Sequence, residues 1–238
     1  QQVSSAASDV YKRQILSTWS LCPIIAGIIA MGLFTFTKRV ILNRKLHILR
    51  LDAYTRTALI LAGAFGAYSL GANNIANVMG VFVPISPFTD VNMGNLFIFS
   101  SKEQLFLLGG LAIAVGVFTY SKRVMYTVGN DLLKMSPVAA FIVVISHSIV
   151  LFLFASQGIS AFLQSINLPS IPLVPVSSSQ AVVGGVIGIG LLKGGKEVQW
   201  SIAGRISLGW MTLPIIAALI SLIVLFILEN IFNLTVSF

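Results

Sequence analysis

Apolar residues run along this chain in long unbroken stretches parted by short clusters of charge. They do not alternate at every second position, which excludes the strand pattern of a membrane β-barrel. A helix needs about 20 apolar residues to cross a bilayer core. Five stretches predict such helices: Ile15–Thr37, Thr57–Val83, Leu105–Tyr120, Pro137–Ser156 and Ile206–Leu228. A sixth run, Gln180–Leu192, covers about 20 Å as a helix, less than the roughly 30 Å hydrocarbon core. It must be extended by its neighbours or form half of a broken helix. The pattern predicts an all-α membrane protein of about six transmembrane or re-entrant helices.

Composition supports lipid as the solvent. Of 238 residues, 56% are hydrophobic and 9% charged, against roughly 25% charged in soluble domains. The mean hydropathy is +0.94. A formal net charge of +8 raises the question of nucleic acid. The bases, however, sit between apolar runs without interleaved aromatics, so membrane topology explains them and nucleic acid is excluded as a partner. Successive loops carry six, one, three, none and three bases. This alternation follows the positive-inside rule. It places the loops at Lys38–Arg56, Ser121–Ser136 and Lys193–Arg205 in the cytoplasm and requires the short sixth run to cross. Cys22, the only cysteine, lies in an apolar run, and one thiol builds neither an internal disulfide nor a zinc site.

Residues 1–14 are polar and lead abruptly into the first apolar run without a signal-peptide pattern. The string from Val3 to Gln14 resembles a translated sequencing adapter. Residues 1–14 are therefore expected to be a non-native tail, and 15–238 a partial transmembrane domain whose N-terminal portion is lost.

Polar groups are costly within a bilayer, so polar clusters inside apolar runs point to function. The first is Gly71-Ala72-Asn73-Asn74-Ile75-Ala76-Asn77. On an α-helix Asn73 and Asn77 share a face, with Asn74 about 100° away. Amides offer carbonyl oxygens to a cation and N–H donors to an anion. The plainer reading is interhelical glue, a common use of Asn and small residues between membrane helices. Three amides beside a glycine favour a site. The second cluster is Pro175-Val176-Ser177-Ser178-Ser179-Gln180, just before an apolar run. Pro and Ser there mark a helix start. Inside a membrane, that start presents free N–H groups and a positive dipole end to an anion. Its plainer reading is a serine cap at the lipid–water interface. His147 reads as a packing histidine, Asp131 as solvated or paired with Lys134, and Glu229 as inert. No catalytic triad order, metal-ligand spacing or P-loop is present, so no enzyme is expected and no catalytic residue is assigned.

Together the two strings resemble the signatures of the inorganic phosphate transporter (PiT) family of cation-coupled symporters, G-A-N-D-[VI]-A-N and P-[VI]-S-[ST]-[ST]-[HQ]. Lys122–Gly129 and Gly204–Pro214 resemble further family segments, and the likeness extends over roughly Thr57–Leu228. It implies a symporter of inorganic phosphate in the cell membrane, working by alternating access between inverted repeats. It also implies that Asn73, Asn74, Asn77, Ser177, Ser178, Ser179 and Gln180 bind substrate. Sodium would lie near Asn73, Asn74 and Asn77, and the coupling cation would be sodium or a proton, with no other cofactor. The chain departs from the family pattern at Asn74, where Asp is usual, and at Val144, near a customary glutamate. Each motif appears once where the family has two. The chain thus looks like the C-terminal repeat of a longer transporter. Its partners would be the missing N-terminal repeat, the lipid bilayer and other copies of itself. Sulfate is the rival anion, and a non-transporting membrane scaffold the rival class.

Single cysteines placed at Lys45, Ser121 and Gly195 are expected to react only with reagent on the cytoplasmic side, and one at Asn92 only from outside. Labelling of positions 45 and 195 from opposite faces overturns the crossing of the short run.

Overall fold

The computed structural model describes residues 2–42, 47–92, 94 and 98–232. Helix dominates it, as hydrocarbon demands, because a helix satisfies its own backbone polar groups. The chain divides into two compact units, Gln1–Val198 and Gln199–Phe238.

In the first unit, helix α1 spans Gln2–Thr37 and continues into a π-helical turn, Lys38–Leu42. Helix α2 spans Ile48–Leu70, a π turn covers Gly71–Ile75, and the short α3 spans Ala76–Gly80. A 3-10 turn, Val83–Ile85, leads to a small antiparallel ladder of β1 (Val91–Asn92) and β2 (Ile98–Phe99). Helix α4 spans Ser101–Tyr126 and ends in a π turn, Thr127–Leu132. Then come α5 (Pro137–Ala155), α6 (Gln157–Ser165) and α7 (Ser178–Leu192). The second unit holds α8, Trp200–Phe232, with Pro214 inside it.

Five of these stretches are long and apolar enough to cross a membrane: Arg13–Val40, Leu49–Gly80, Ser101–Leu132, Pro137–Ala155 and Trp200–Ile231. The shorter apolar helix Ser178–Leu192 makes the sixth. Five spans and one short apolar helix match the predicted architecture. Boundaries differ where helices outrun their apolar cores. Helix α2 starts nine residues before the predicted Thr57 and takes in Arg50, Asp52 and Arg56. Charge is no obstacle to helix in the aqueous layer. The Arg56 Nε to Asp52 Oδ2 contact of 2.9 Å is an exposed pair one turn apart. Helix α4 likewise carries Lys122 and Arg123. Helix α6 was not expected at all. It is too short and polar to register as an apolar run, and Ser156 starts it by accepting from Ile159 N–H.

Serines cap the starts of α4, α5, α6 and α7. Ser100 caps α4 in a capping box, its hydroxyl accepting from Glu103 N–H while Glu103 Oε2 accepts from Ser100 N–H at 2.8 Å. Ser136 caps α5, with Pro137 at its first position, where the missing N–H costs nothing.

Helices α1, α5 and α7 form the packed centre of the first unit. Cys22 and Ala26 of α1 meet Val150, Leu151 and Phe154 of α5, and Val174, Val176 and Ala181 from the stretch that starts α7. Cys22 lies against Ser177 and Gly27 against Gly188, so α1 and α7 run in the same direction. Gly185 lies against Ser146 and Val143, while Phe154 belongs with Ala181, so α5 runs opposite to α7. These directions agree with the alternation of basic loops. The close approach of α1 and α7 depends on glycine. A Cβ on Gly184 would meet the Pro23 carbonyl, and one on Gly188 would lie 2.8 Å from Gly27 Cα. Small residues four apart let membrane helices touch backbone to backbone.

Gly188→Ala is therefore expected to force α1 and α7 apart and lower stability by about 1–3 kcal/mol. Gly204→Ala, on α8 with nothing within 4 Å of its Cβ position, serves as the control. Thermal melting in detergent checks this: equal melting temperatures for the two variants contradict the packing.

Candidate functional site

The two polar clusters predicted from sequence meet in space. Gly71–Ile75 forms a π turn at the end of α2. Such wide turns interrupt helices and recur at functional sites. The turn carries Asn73 into the protein, where it is 4% exposed. Its Nδ2 donates to the Val174 carbonyl at 3.4 Å, and its Oδ1 accepts from Val176 N–H at 3.0 Å. Asn73 thus bonds the strap of chain, residues 168–177, that leads into the second cluster.

That strap ends at Ser177, an extended residue and the N-cap of α7. Its hydroxyl accepts from Gln180 N–H at 3.4 Å and lies 3.0 Å from the Ser179 hydroxyl. Its carbonyl accepts from Ala181 N–H at 3.1 Å and from the Cys22 thiol at 3.6 Å. Ser178 is half-buried and Ser179 exposed. Helix α7 begins beside Cys22, well inside the Arg13–Val40 stretch of α1. Its N-terminal N–H groups therefore open within the bundle rather than at the end of a full-length span. With 15 residues it covers about 22 Å.

Gln180 is 5% exposed, and its Oε1 has no hydrogen-bond partner among the described residues. Leaving a buried acceptor unpaired costs about 1–3 kcal/mol, so this oxygen is open to a donor or a cation. Asn74 is half-buried and its side chain makes no hydrogen bond among the described residues. The side chain of Asn77 lies outside the described residues. Asn73 lies in a π turn, Gly71–Ile75, rather than in the α-helix on which its shared face with Asn77 is predicted. Among the described residues no group of three or more His, Cys, Asp or Glu is placed to hold a metal ion. A cation here would rely on amide, hydroxyl or carbonyl oxygens.

Sequence reasoning missed two participants. Cys22, assigned neither a disulfide nor a metal from sequence, donates to the carbonyl of the capping serine. The strap carbonyl and N–H groups at Val174 and Val176 carry no side-chain signal. Of the two, only Cys22 had a trace in sequence, as a lone polarisable donor in an apolar run.

Apolar helices crossing a membrane, with a helix start held inside the bundle by amide and serine groups, define a multi-pass α-helical membrane protein. The chain belongs to the phosphate transporter family, which matches it over residues 49–221 and 167–236. This is a family of transporters, not of enzymes. A putative phosphate permease of Methanocaldococcus jannaschii is 28% identical over 211 residues, covering 89% of this chain and 59% of its own length. A putative phosphate permease of Pyrococcus abyssi is 30% identical over 173 residues, covering 73% of this chain and 39% of its own length. The human sodium-dependent phosphate transporter 1 is 28% identical over 161 residues, 66% of this chain and 21% of its own length. A solved structure described as the sodium-dependent phosphate transporter shares the fold with a TM-score of 0.57 at 19% identity. It aligns with 84% of this chain and 62% of that one. The chain thus spans from about a fifth to three fifths of the length of the curated relatives it matches.

Ser177→Ala removes the acceptor for Gln180 N–H, a cap worth about 0.5–2 kcal/mol. Amide exchange at Gln180 is expected to quicken about two-fold or more in the variant, with exchange in the middle of α7 unchanged. Equal exchange at Gln180 in both proteins contradicts the cap.

Proposed function

We propose that this chain supplies one half of a secondary transporter that carries inorganic phosphate across the cell membrane together with a cation. The observation that carries this reading is the start of α7, opened inside the bundle and bonded to the turn that bears Asn74. A helix N-terminus attracts an anion through its free N–H groups and dipole. The hydroxyls of Ser178 and Ser179 add donors beside it, and Ser177 holds the turn in shape. Asn74 offers an amide from the facing turn, with Asn77 the further candidate there. Broken helices facing a mid-membrane anion are a recurring transporter device.

Gln180 favours phosphate over sulfate. Phosphate near neutral pH carries a hydrogen that sulfate lacks, and the unpaired Gln180 Oε1 is a buried acceptor for such a hydrogen. The same oxygen also suits a cation. Sodium is the coupling ion we favour, by analogy with the sodium-dependent relatives, and amide oxygens near Asn74 are its candidate ligands. Asn74 replaces the customary Asp, so this half supplies less negative charge for the cation than the family pattern does. One set of donors is also incomplete for an anion that must shed its hydration. The facing set would come from the other repeat.

Radiolabelled phosphate uptake by vesicles carrying the full-length gene product is expected to be saturable, sodium-stimulated and poorly competed by sulfate. Asn74→Asp is expected to lower the sodium concentration needed for half-maximal uptake. Sulfate competing as well as phosphate overturns the substrate assignment, and an unchanged sodium dependence removes position 74 from coupling.

A further inference from the structure

We infer that Asn73 is a positioning residue, an amide clamp that sets where the start of α7 sits against the π turn. It does not act as a ligand. This rests on the proposed reading of Asn74 and the α7 start as the anion site. Three observations carry it. Both ends of the Asn73 amide are engaged by strap backbone, at Val174 and Val176, across 101 and 103 residues of sequence. The geometry also selects the orientation: the Nδ2 end faces a carbonyl and the Oδ1 end faces an N–H, so exchanging them would set like against like. Finally, Asn73 is buried at 4% exposure, whereas its neighbour Asn74 is half-buried.

Position in the chain gives the clamp its consequence. Asn74 follows Asn73 directly, and Ser177 follows the clamped Val176. One amide therefore sets the relation between the two candidate ligand groups, which come from distant segments. Ser177 is steadied independently from α1, where Cys22 donates to its carbonyl. The strap is held from the π turn and from α1 at three points, residues 174, 176 and 177. Without Asn73, the Val174 carbonyl and the Val176 N–H lose the partners described here inside an apolar bundle. They then recover them only by moving.

A clamp and a ligand differ when no ligand is present. The test uses the full-length gene product carrying Ser179→Cys in vesicles, with peptide mass spectrometry separating the introduced thiol from buried Cys22. Alkylation is followed first in choline buffer free of sodium and phosphate. There Asn73→Ala is expected to change the rate at position 179 about five-fold or more, the size of one lost net hydrogen bond. Asn73→Asp keeps an acceptor for Val176 N–H but sets a carboxylate oxygen against the Val174 carbonyl, so it is expected to change the rate as well. Asn74→Ala is expected to leave this rate unchanged and to abolish any protection that sodium and phosphate then confer.

Asn73→Ala with an unchanged ligand-free rate and lost protection overturns the clamp and makes Asn73 a ligand. Failure of both Asn73 variants to insert also overturns it, making the residue one needed only for folding. If the parent shows no protection by phosphate and the protein with Ser179 intact shows no phosphate uptake, the anion reading fails, and the clamp is judged on the ligand-free rates alone.

Discussion

Backbone polar groups inside a membrane protein have no water to turn to, and this constraint governs the architecture. Helices meet it internally. The strap at residues 168–177 does not, because it is neither helix nor strand, yet Val174 and Val176 are each only 3% exposed. Several of its groups find partners one by one. Asn73 serves the Val174 carbonyl and Val176 N–H, the Cys22 thiol serves the Ser177 carbonyl, and Val174 N–H turns back to Pro172 at 3.0 Å. Irregular chain at this depth is tolerated only where protein surrounds it. The broken element and the polar residues that support it are thus one construction.

Glycine makes the enclosure tight enough. Gly27, Gly184 and Gly188 bring α1 and α7 into backbone contact, and Gly66 and Gly185 receive Ser148 and Ser146 of α5. Both serines bond back to their own helix, at 2.7 Å and 2.9 Å, so they enter the contact without an unpaired hydroxyl. Helix α5 can then lie between α2 and α7 with polar atoms buried and apolar area shed to neighbours. The start of α7 gains a fixed wall on each side, which a preorganised anion site needs because flexible donors bind at an entropic cost.

The family assignment and the site geometry meet at the level of a half-site. The chain spans only part of the length of its curated relatives, and the described residues contain one helix start of this kind joined to one amide-bearing π turn. A shell of donors for a tetrahedral anion would draw on a second such set.

Much of this was legible in the residues themselves. Continuous apolar runs, charge clusters and alternating basic loops established a multi-pass helical membrane protein, because lipid admits few other solutions for such a chain. The serines at 177–179 marked the start of α7, since capping chemistry is local. The glycine and three asparagines at 71–77 marked a polar anomaly for the same reason. Other features lay beyond sequence reading. Helix α6 and the charged ends of α2 and α4 were hidden, because helix continues into water where hydropathy stops reporting it. The π turn at Asn73 was hidden too, because periodicity assumes an α-helix. The pairing of Asn73 with Val174 and Val176 joins residues a hundred positions apart through backbone groups that every residue carries. Local sequence thus determined the solvent, the helices and the polar clusters. Only the tertiary packing decided which amide is engaged by the strap, since that depends on which distant backbone groups are left without partners.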